Sequence, residues 1–268
     1  VYICENELSG QNAIEEIFGG KFGKPEKLLI EEFLQGEEMS FFIISDGKSF
    51  KIFETAQDHK RAGEGDVGKN TGGMGAYSPS LLINPNLQKK IINKIIQPTL
   101  KSLNKIGCSY KGFLYAGLMI IKNEPYLIEY NVRMGDPECQ TIIPRLKTDL
   151  FEIILSCCKG YLKNLNLKWD PRCSLSIVLC SKGYPDKYEK NIRIEGLENL
   201  VYSKNQFIFH AGTSKINNEI LATGGRVLNF TTLSESFYLC QKKSIELINN
   251  LNWNNGFYRK DIGYKVIK

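Results

Sequence analysis

Two apolar runs, MSFFIIS at 39–45 and SFKIFET at 49–55, stand on either side of Asp46-Gly47. Asp-Gly between such runs signals a hairpin, because a tight turn joining antiparallel strands needs residues that tolerate positive φ. A second pair, GFLYAGLMIIK at 112–122 and PYLIEYN at 125–131, is divided by a turn-like KNEP stretch. KLLIEEFL at 27–34 reads as a further strand running into a turn at Gly36, so 27–56 is expected to be part of an antiparallel sheet.

Around these hairpins the periodicity is helical. SGQNAIEEIF at 9–18 sets Ala13, Ile14, Ile17 and Phe18 on one face. The segment 86–106 does the same through Leu87, Ile91, Ile95 and Leu103, with Pro98 as a kink. Asp149 and Glu152 form a capping-box pattern for a helix at 150–159, which Gly160 stops. After NLNLKWDPRC at 164–173 the pattern resets into strands at 174–181, 206–210 and 226–231 and a helix at about 234–251. A domain boundary is expected near 165.

Between the hairpins, QDHKRAGEGDVGKNTGGMGAYSP at 57–79 is rich in glycine and poor in apolar residues, which predicts a long functional or disordered loop. Val1 has no Met before it and VYICENE reads as the middle of a domain, so an N-terminally truncated chain is expected.

Composition removes several function classes. A net charge of +6 from scattered lysines favours anionic ligands weakly and shows no aromatic–basic interleaving for nucleic acid. Eight cysteines occur without a C-x-x-C pair, and with two histidines a zinc site is not expected. Reduced, buried thiols in a cytosolic protein are the expectation, with Cys157 and Cys158 packing in an apolar helix and His210 anchoring a core or loop. No signal peptide is expected, and no apolar run has bilayer length.

Chemistry concentrates in LIEYNVRMGDPE at 127–138. On a strand, Glu129, Asn131 and Arg133 would share a face. One carboxylate and one amide oxygen suit Mg²⁺ shared with ATP phosphates, and Arg133 could neutralise a transferring phosphoryl group. A strand-end salt-bridge cluster would leave the same pattern. Gly72, Gly73 and Gly75 could present successive N–H groups to an anion, although a linker also looks glycine-rich. Asp58, His59, Lys60 and Arg61 beside them read as substrate contacts or as a solvated charge run. In LLIEEFLQGEEMSF at 28–41 the backbone of Glu31, Glu32, Phe33 and Leu34 could bond an adenine edge, with Glu37 or Glu38 on the ribose hydroxyls. Exposed glutamate pairs on a strand are the alternative.

Taken together, IEEFLQGEEMSFFIISDG, the 57–79 segment, KGFLYAGLMI and LIEYNVRMGDPE resemble the glycinamide ribonucleotide synthetases, or phosphoribosylamine–glycine ligases, which are ATP-grasp enzymes of purine biosynthesis. HAGT at 210–213, TGGRVL at 223–228 and FYRKDIG at 257–263 are similar to that family's C-terminal domain, so the resemblance covers essentially all 268 residues. It implies an α+β ATP-grasp core, with a partial antiparallel lobe at 1–56 and a second lobe at 57–165 clamping ATP. A small mixed α/β C-terminal domain would occupy 166–268.

The implied reaction joins glycine to 5-phosphoribosylamine through glycyl phosphate, giving glycinamide ribonucleotide, ADP and phosphate. By the same resemblance Glu129 and Asn131 hold Mg²⁺ (or Mn²⁺), Arg133 meets phosphate charge and Asp136 takes glycine's ammonium. Asp58, Lys60, Thr71, Gly72, Gly73, Gly75 and Gly135 line the substrate side. A cytoplasmic monomer with small-molecule partners, and neither nucleic acid nor membrane, is expected.

Two departures stand out. The family's N-terminal domain and a phosphate-binding lysine segment ahead of Val1 are not in the sequence, so this fragment alone is expected to be inactive or incomplete. The position in YAGLMI where many ATP-grasp relatives place another acidic ligand is apolar here. The alternatives are another ATP-grasp carboxylate–amine ligase and a non-catalytic nucleotide-binding fragment.

Overall fold

The computed structural model describes residues 2–21, 23 and 25–267. The chain divides into two compact units, 1–36 and 37–268.

In the first unit the helix Glu7–Phe18 begins at Asn6, whose Oδ1 accepts from Ser9 N at 2.9 Å while Ser9 Oγ receives the Asn6 N–H at 3.2 Å. This reciprocal cap satisfies two of the donors that a helix start leaves free. Ala13 is the buried residue of the expected apolar face, whereas Phe18 is exposed. The strand expected at 27–34 does not form, and Leu29, Ile30 and Phe33 are exposed. Apolar β-formers make a strand only when a neighbour accepts their backbone hydrogen bonds, and the described residues of this unit offer no partner strand.

The second unit carries both predicted hairpins in one four-stranded antiparallel sheet, in the order Phe50–Ile52, Glu37–Asp46, Lys111–Ile121, Glu124–Asn131. Asp46 closes the first turn by accepting from Lys48 N and Ser49 N at 2.9 and 2.7 Å, and Gly47 supplies φ +88°. Both faces are covered. Met39, Phe41 and Ile43 meet Leu87, Ile91, Ile95 and Ile96 of the long helix, while Phe42 and Ile44 meet Ile153 and Cys157. Burial on two sides explains why the strand reads as a continuous apolar run; each such side chain contributes roughly 1.5–3 kcal/mol.

The helix from Pro85 to Lys105 is continuous, but Ile92–Ile96 widens to π geometry just before Pro98. Proline cannot donate to the carbonyl four residues back, and the wider turn absorbs that loss. Leu103 remains only partly buried. Asp149 caps Leu150–Lys159, and Gly160 ends it at φ +76°. Cys157 is buried on that helix while Cys158, one residue on, is exposed. The buried-thiol expectation holds for Cys157, Cys180 and Cys240, where burial pushes the latter two up to about 12. It does not hold for Cys4, Cys108 and Cys158.

A second, six-stranded sheet runs Gln206–His210, Arg226–Ser234, Cys173–Ser181, Gly75–Ser78, Gln57–Asp58, with Gly256–Phe257 also pairing Cys173–Ser181. Phe237–Asn249 packs Phe237, Cys240, Leu247 and Ile248 onto it. Segment 57–79 is therefore not an irregular loop. It holds two strands of this sheet and a ribbon of Arg61–Gly63 with Val67–Asn70. Glycines at 63, 65 and 68 mask the alternation that would have announced that ribbon. The sheet also joins strands from both sides of residue 165. No helix among the described residues is long and apolar enough to cross a membrane.

Candidate active site

Strand alternation sorts the acids and bases of segment 57–61. Asp58 and Lys60 turn to one side, where Lys60 Nζ lies 3.1 Å from both Asp58 oxygens and 3.2 Å from Glu38 Oε2. His59 turns to the other and is buried: its ring meets Asp66 at 3.3 Å through Nδ1 and accepts from Gly263 N at 3.0 Å through Nε2. Asp66 is in turn gripped by Arg259 at 2.7 Å, and Arg259 is 1% exposed. The His59 hydrogen bond, joined by Arg259, holds the Asp66 carboxyl well below the usual range against the opposing effect of burial. One half of DHKR thus faces a polar cluster and the other locks the segment to 259–264.

Glu138 completes the cluster. It opens the short helix Glu138–Ile142 and is 3% exposed, with Oε1 accepting from Ser40 Oγ at 3.0 Å. Ser40 Oγ also lies 3.2 Å from the Tyr115 hydroxyl. Burial, reinforced by the Asp58 charge, lifts Glu138 to about 7 despite the opposing pull of its own N–H, Lys60 and Ser40. Burial alone would lower Lys60, but Asp58, Tyr115, Glu38 and Glu138 outweigh it and hold the ammonium charged. A cation among three carboxylates, one of them near neutrality, can bind a polar substrate and pass a proton.

On the strand Glu124–Asn131, Glu129 and Asn131 meet side by side, Asn131 Nδ2 donating to Glu129 Oε1 at 3.0 Å. Turning the amide over exchanges its oxygen and nitrogen, which would set two oxygens together as a hard cation requires. Opposite Glu129 in register stands Gly117, and a Cβ there would come within 3.2 Å of Glu129 Cγ and 3.5 Å of the Tyr115 hydroxyl. The missing side chain leaves a cradle over the carboxylate, so the residues fit a divalent cation completed by substrate oxygens. No group of three or more Asp, Glu, His or Cys suited to a metal occurs among the described residues. Arg133 lies beyond the strand in a bend, where Nη1 donates to Met134 O at 3.0 Å.

The TGGMG stretch differs from the sequence expectation. Gly72 N donates to Tyr184 OH, Gly73 N to Thr71 Oγ1 and Met74 N to His59 O, at 3.0, 3.0 and 2.8 Å. Thr71 itself bonds Lys60 O at 2.8 Å through Oγ1. These N–H groups are engaged within the fold and offer no anion nest. The glycines serve close approach instead: Gly73 sits at φ +112°, where a Cβ would fall 2.6 Å from Pro137 Cδ, and Gly75 lies against Ser176 and Ile262. Gly135 works likewise, because a Cβ there would collide with the Glu138 carboxyl.

Arg226 ties the two loops together. Its Nη1 donates to Gly72 O at 2.8 Å, Asp136 O at 2.6 Å and Asp136 Oδ1 at 3.1 Å. Asp136 therefore meets an arginine before any substrate. Of the two expected ribose acids, Glu38 joins the Lys60 cluster and Glu37 pairs with Lys265 at 2.7 Å. Glu31, Glu32, Phe33 and Leu34 belong to the first unit, and their backbone makes no hydrogen bond to its described residues. His210 bonds Thr213 Oγ1 at 2.9 Å, a loop anchor. Glu138, one of the charged residues crowded into 127–138, and Arg226, in TGGRVL, were given no role from sequence.

Residues 1–139 match the family described as phosphoribosylglycinamide synthetase, ATP-grasp (A) domain, and 174–265 match the phosphoribosylglycinamide synthetase C domain. The chain is similar to the phosphoribosylamine–glycine ligase of Haemophilus influenzae, at 44% identity over 271 residues, covering 100% of this chain and 63% of that protein. The enzyme of that name from Agrobacterium fabrum is 43% identical over 268 residues, with the same coverage of 100% and 63%. The solved phosphoribosylamine–glycine ligase of Thermotoga maritima superposes with a TM-score of 0.85 at 32% identity, over 97% of this chain and 65% of that one. The chain thus spans 63% of the length of both sequence relatives.

Proposed function

The chain belongs to the phosphoribosylglycinamide synthetase family, and on that premise we propose that it supplies the catalytic cluster of an ATP-dependent ligase joining glycine to 5-phosphoribosylamine. The observation that carries this reading is the buried Glu138 with the half-buried Asp58 and Lys60, a set that shares Tyr115 with the Glu129–Asn131 strand. We take 1–165 as the catalytic region of an α+β ATP-grasp fold and 166–268 as its C-terminal domain.

In this reading a carboxylate oxygen of glycine attacks the terminal phosphorus of ATP. The bond from that phosphorus to its bridging oxygen breaks, and ADP leaves. The amine of phosphoribosylamine then attacks the acyl carbon of glycyl phosphate, phosphate departs with the C–O electron pair, and the nitrogen sheds one proton. Glu138 is placed to take that proton, because a carboxyl lifted to about 7 is matched to neutral pH. Lys60 stays charged beside it and Arg133 meets phosphate charge. Asp136 turns its second oxygen to glycine's ammonium, and the free backbone at 31–34 takes the adenine edge. Glu129 and Asn131 would hold Mg²⁺ or Mn²⁺, whose chemistry there is to offset phosphate charge. No protein nucleophile is needed.

The test is ADP release by the full-length protein with ATP, Mg²⁺, glycine and fresh phosphoribosylamine, omitting each in turn. Dependence on both substrates, lost in Glu129→Ala, is the expected result. Equal ADP release with another acid or amine would replace the substrate assignment. Nucleotide binding without any release would leave the fold and remove the catalysis. A cytoplasmic monomer acting on small molecules is part of the same proposal, checked by sedimentation and cell fractionation.

A further inference from the structure

Three arginines of the second unit meet aspartates, and two of them do so alike. Arg172 holds Asp170 through Nε and Nη2 at 2.9 and 2.8 Å, and Arg259 holds Asp261 through the same two atoms at 2.8 and 2.7 Å. That edge carries two parallel N–H groups, the fork that matches a carboxylate or phosphate. Arg226 differs. All its bonds, to Gly72 O, Asp136 O and Asp136 Oδ1, come from Nη1, so Nε and Nη2 have no partner among the described residues. Its side chain is 22% exposed.

The surroundings keep that edge open. A Cβ on Gly72 would lie 3.0 Å from Arg226 Cζ and Nη2 and 3.2 Å from Nε, which places it on the face of the guanidinium, so glycine at 72 lets the backbone approach that face while the in-plane Nε–Nη2 edge stays free of it. The strand carrying Arg226 shifts register against Cys173–Ser181 between Arg226 and Leu228, a bulge of the kind that re-aims a side chain. Asp136 and Gly72, both expected on the substrate side, are its immediate neighbours.

We propose that the Nε–Nη2 edge of Arg226 is an oxyanion subsite, gripping either the glycine carboxylate or the ribose phosphate. This rests on the ligase reading above, and only substrates supplying such a group would fill it. Nη1 holds the two loops; the opposite edge holds the ligand.

The test is steady-state kinetics of the full-length protein with each substrate varied, for wild type, Arg226→Lys, Arg226→Ala and Gly72→Ala. The expected result is a KM for one oxyanion substrate raised roughly 10- to 100-fold in Arg226→Ala, the loss of a charge-assisted pair. Arg226→Lys recovers part of it, and the KM for ATP stays unchanged. Gly72→Ala, which keeps the arginine but presses a methyl onto its face and so displaces the guanidinium, raises the same KM. A rise for glycine alone assigns the carboxylate, and a rise for phosphoribosylamine alone assigns the phosphate.

Unchanged KM values, or a loss confined to kcat, would overturn the subsite while leaving the ligase. If wild type shows no ligation, the ligase reading fails. The subsite is then decided by titrating wild type and both alanine variants with acetate and with inorganic phosphate. Binding of either anion that the variants lose sustains it, and equal or absent binding removes it.

Discussion

Replacing Glu138 with Gln separates stability from catalysis at one atom. The native carboxyl is 3% exposed and lifted from 4.5 to about 7, chiefly by burial and then by Asp58. Between those values the folded protein keeps a proton that the unfolded chain has lost, so this group's contribution to stability falls as pH rises. At about 1.4 kcal/mol per unit, the penalty above pH 7 reaches roughly 3 kcal/mol. Gln has nearly the same shape, carries no charge and escapes the penalty. Thermal unfolding should therefore show wild type and Glu138→Gln melting close together at pH 5. At pH 8 the variant should melt higher by on the order of 5–10 °C. Activity should move the opposite way, with kcat at neutral pH down roughly 10²- to 10⁴-fold for loss of a proton acceptor. Equal melting at both pH values would show that burial does not hold this carboxyl near neutrality. Full activity in the more stable variant would remove its catalytic role.

Glu129→Ala should leave thermal stability within about 0.5 kcal/mol, because the side chain is exposed, while Mn²⁺ binding followed by electron paramagnetic resonance weakens in parallel with ADP release. Asp66→Asn strips a partner from Arg259, which is 1% exposed, and should cost roughly 3 kcal/mol at neutral pH in a urea melt. Because Asp66 is held below its ordinary 3.8, that difference should be present above about pH 4 and shrink as pH falls further. Gly73→Ala forces a Cβ onto Pro137 at φ +112°, so a loss of roughly 2 kcal/mol or more by the same melt is expected. An unchanged midpoint would mean that the 71–75 turn yields easily.

The hairpins were legible because Asp46-Gly47 and the apolar runs beside it are local statements, and so was the Asp149 cap with its closing Gly160. Pairing between distant segments was not. Nothing in KLLIEEFL says that no strand accompanies it, and nothing in QDHK says that residue 57 pairs with 77 in a sheet built largely from 173 onward. That Glu129 and Asn131 share a face was legible from alternation, since they are two residues apart on one strand and do meet; their role toward a metal came from the resemblance and stays part of the proposal. The glycine loop misled because glycine answers two needs, free N–H groups and close approach, and sequence cannot tell which; the contacts of Gly72, Gly73 and Gly75 decide for close approach. Glu138 was hidden for a different reason. Its character comes from burial beside Ser40, which is 98 residues away in sequence, and from Asp58 and Lys60, which are also far from it along the chain.

That distance explains why the polar cluster and the C-terminal half are hard to separate physically. Segment 57–79 is held by Val178 N donating to Met74 O at 3.0 Å, by Gly263 N on the His59 ring at 3.0 Å, and by the Asp261 carboxylate on Gly65 N at 2.8 Å. Each anchor comes from beyond residue 165, and the one on His59 fixes the side of the segment opposite Asp58 and Lys60. A lysine surrounded by three carboxylates gains from that arrangement only if the backbone delivering it cannot relax, because mobile charges would move apart into water. Arg226 adds the same constraint by binding 72 and 136 at once. The C-terminal strands therefore act as the rigid support of the cluster, and a substitution at Arg259 or His59 would change the chemistry at Lys60 without touching a substrate.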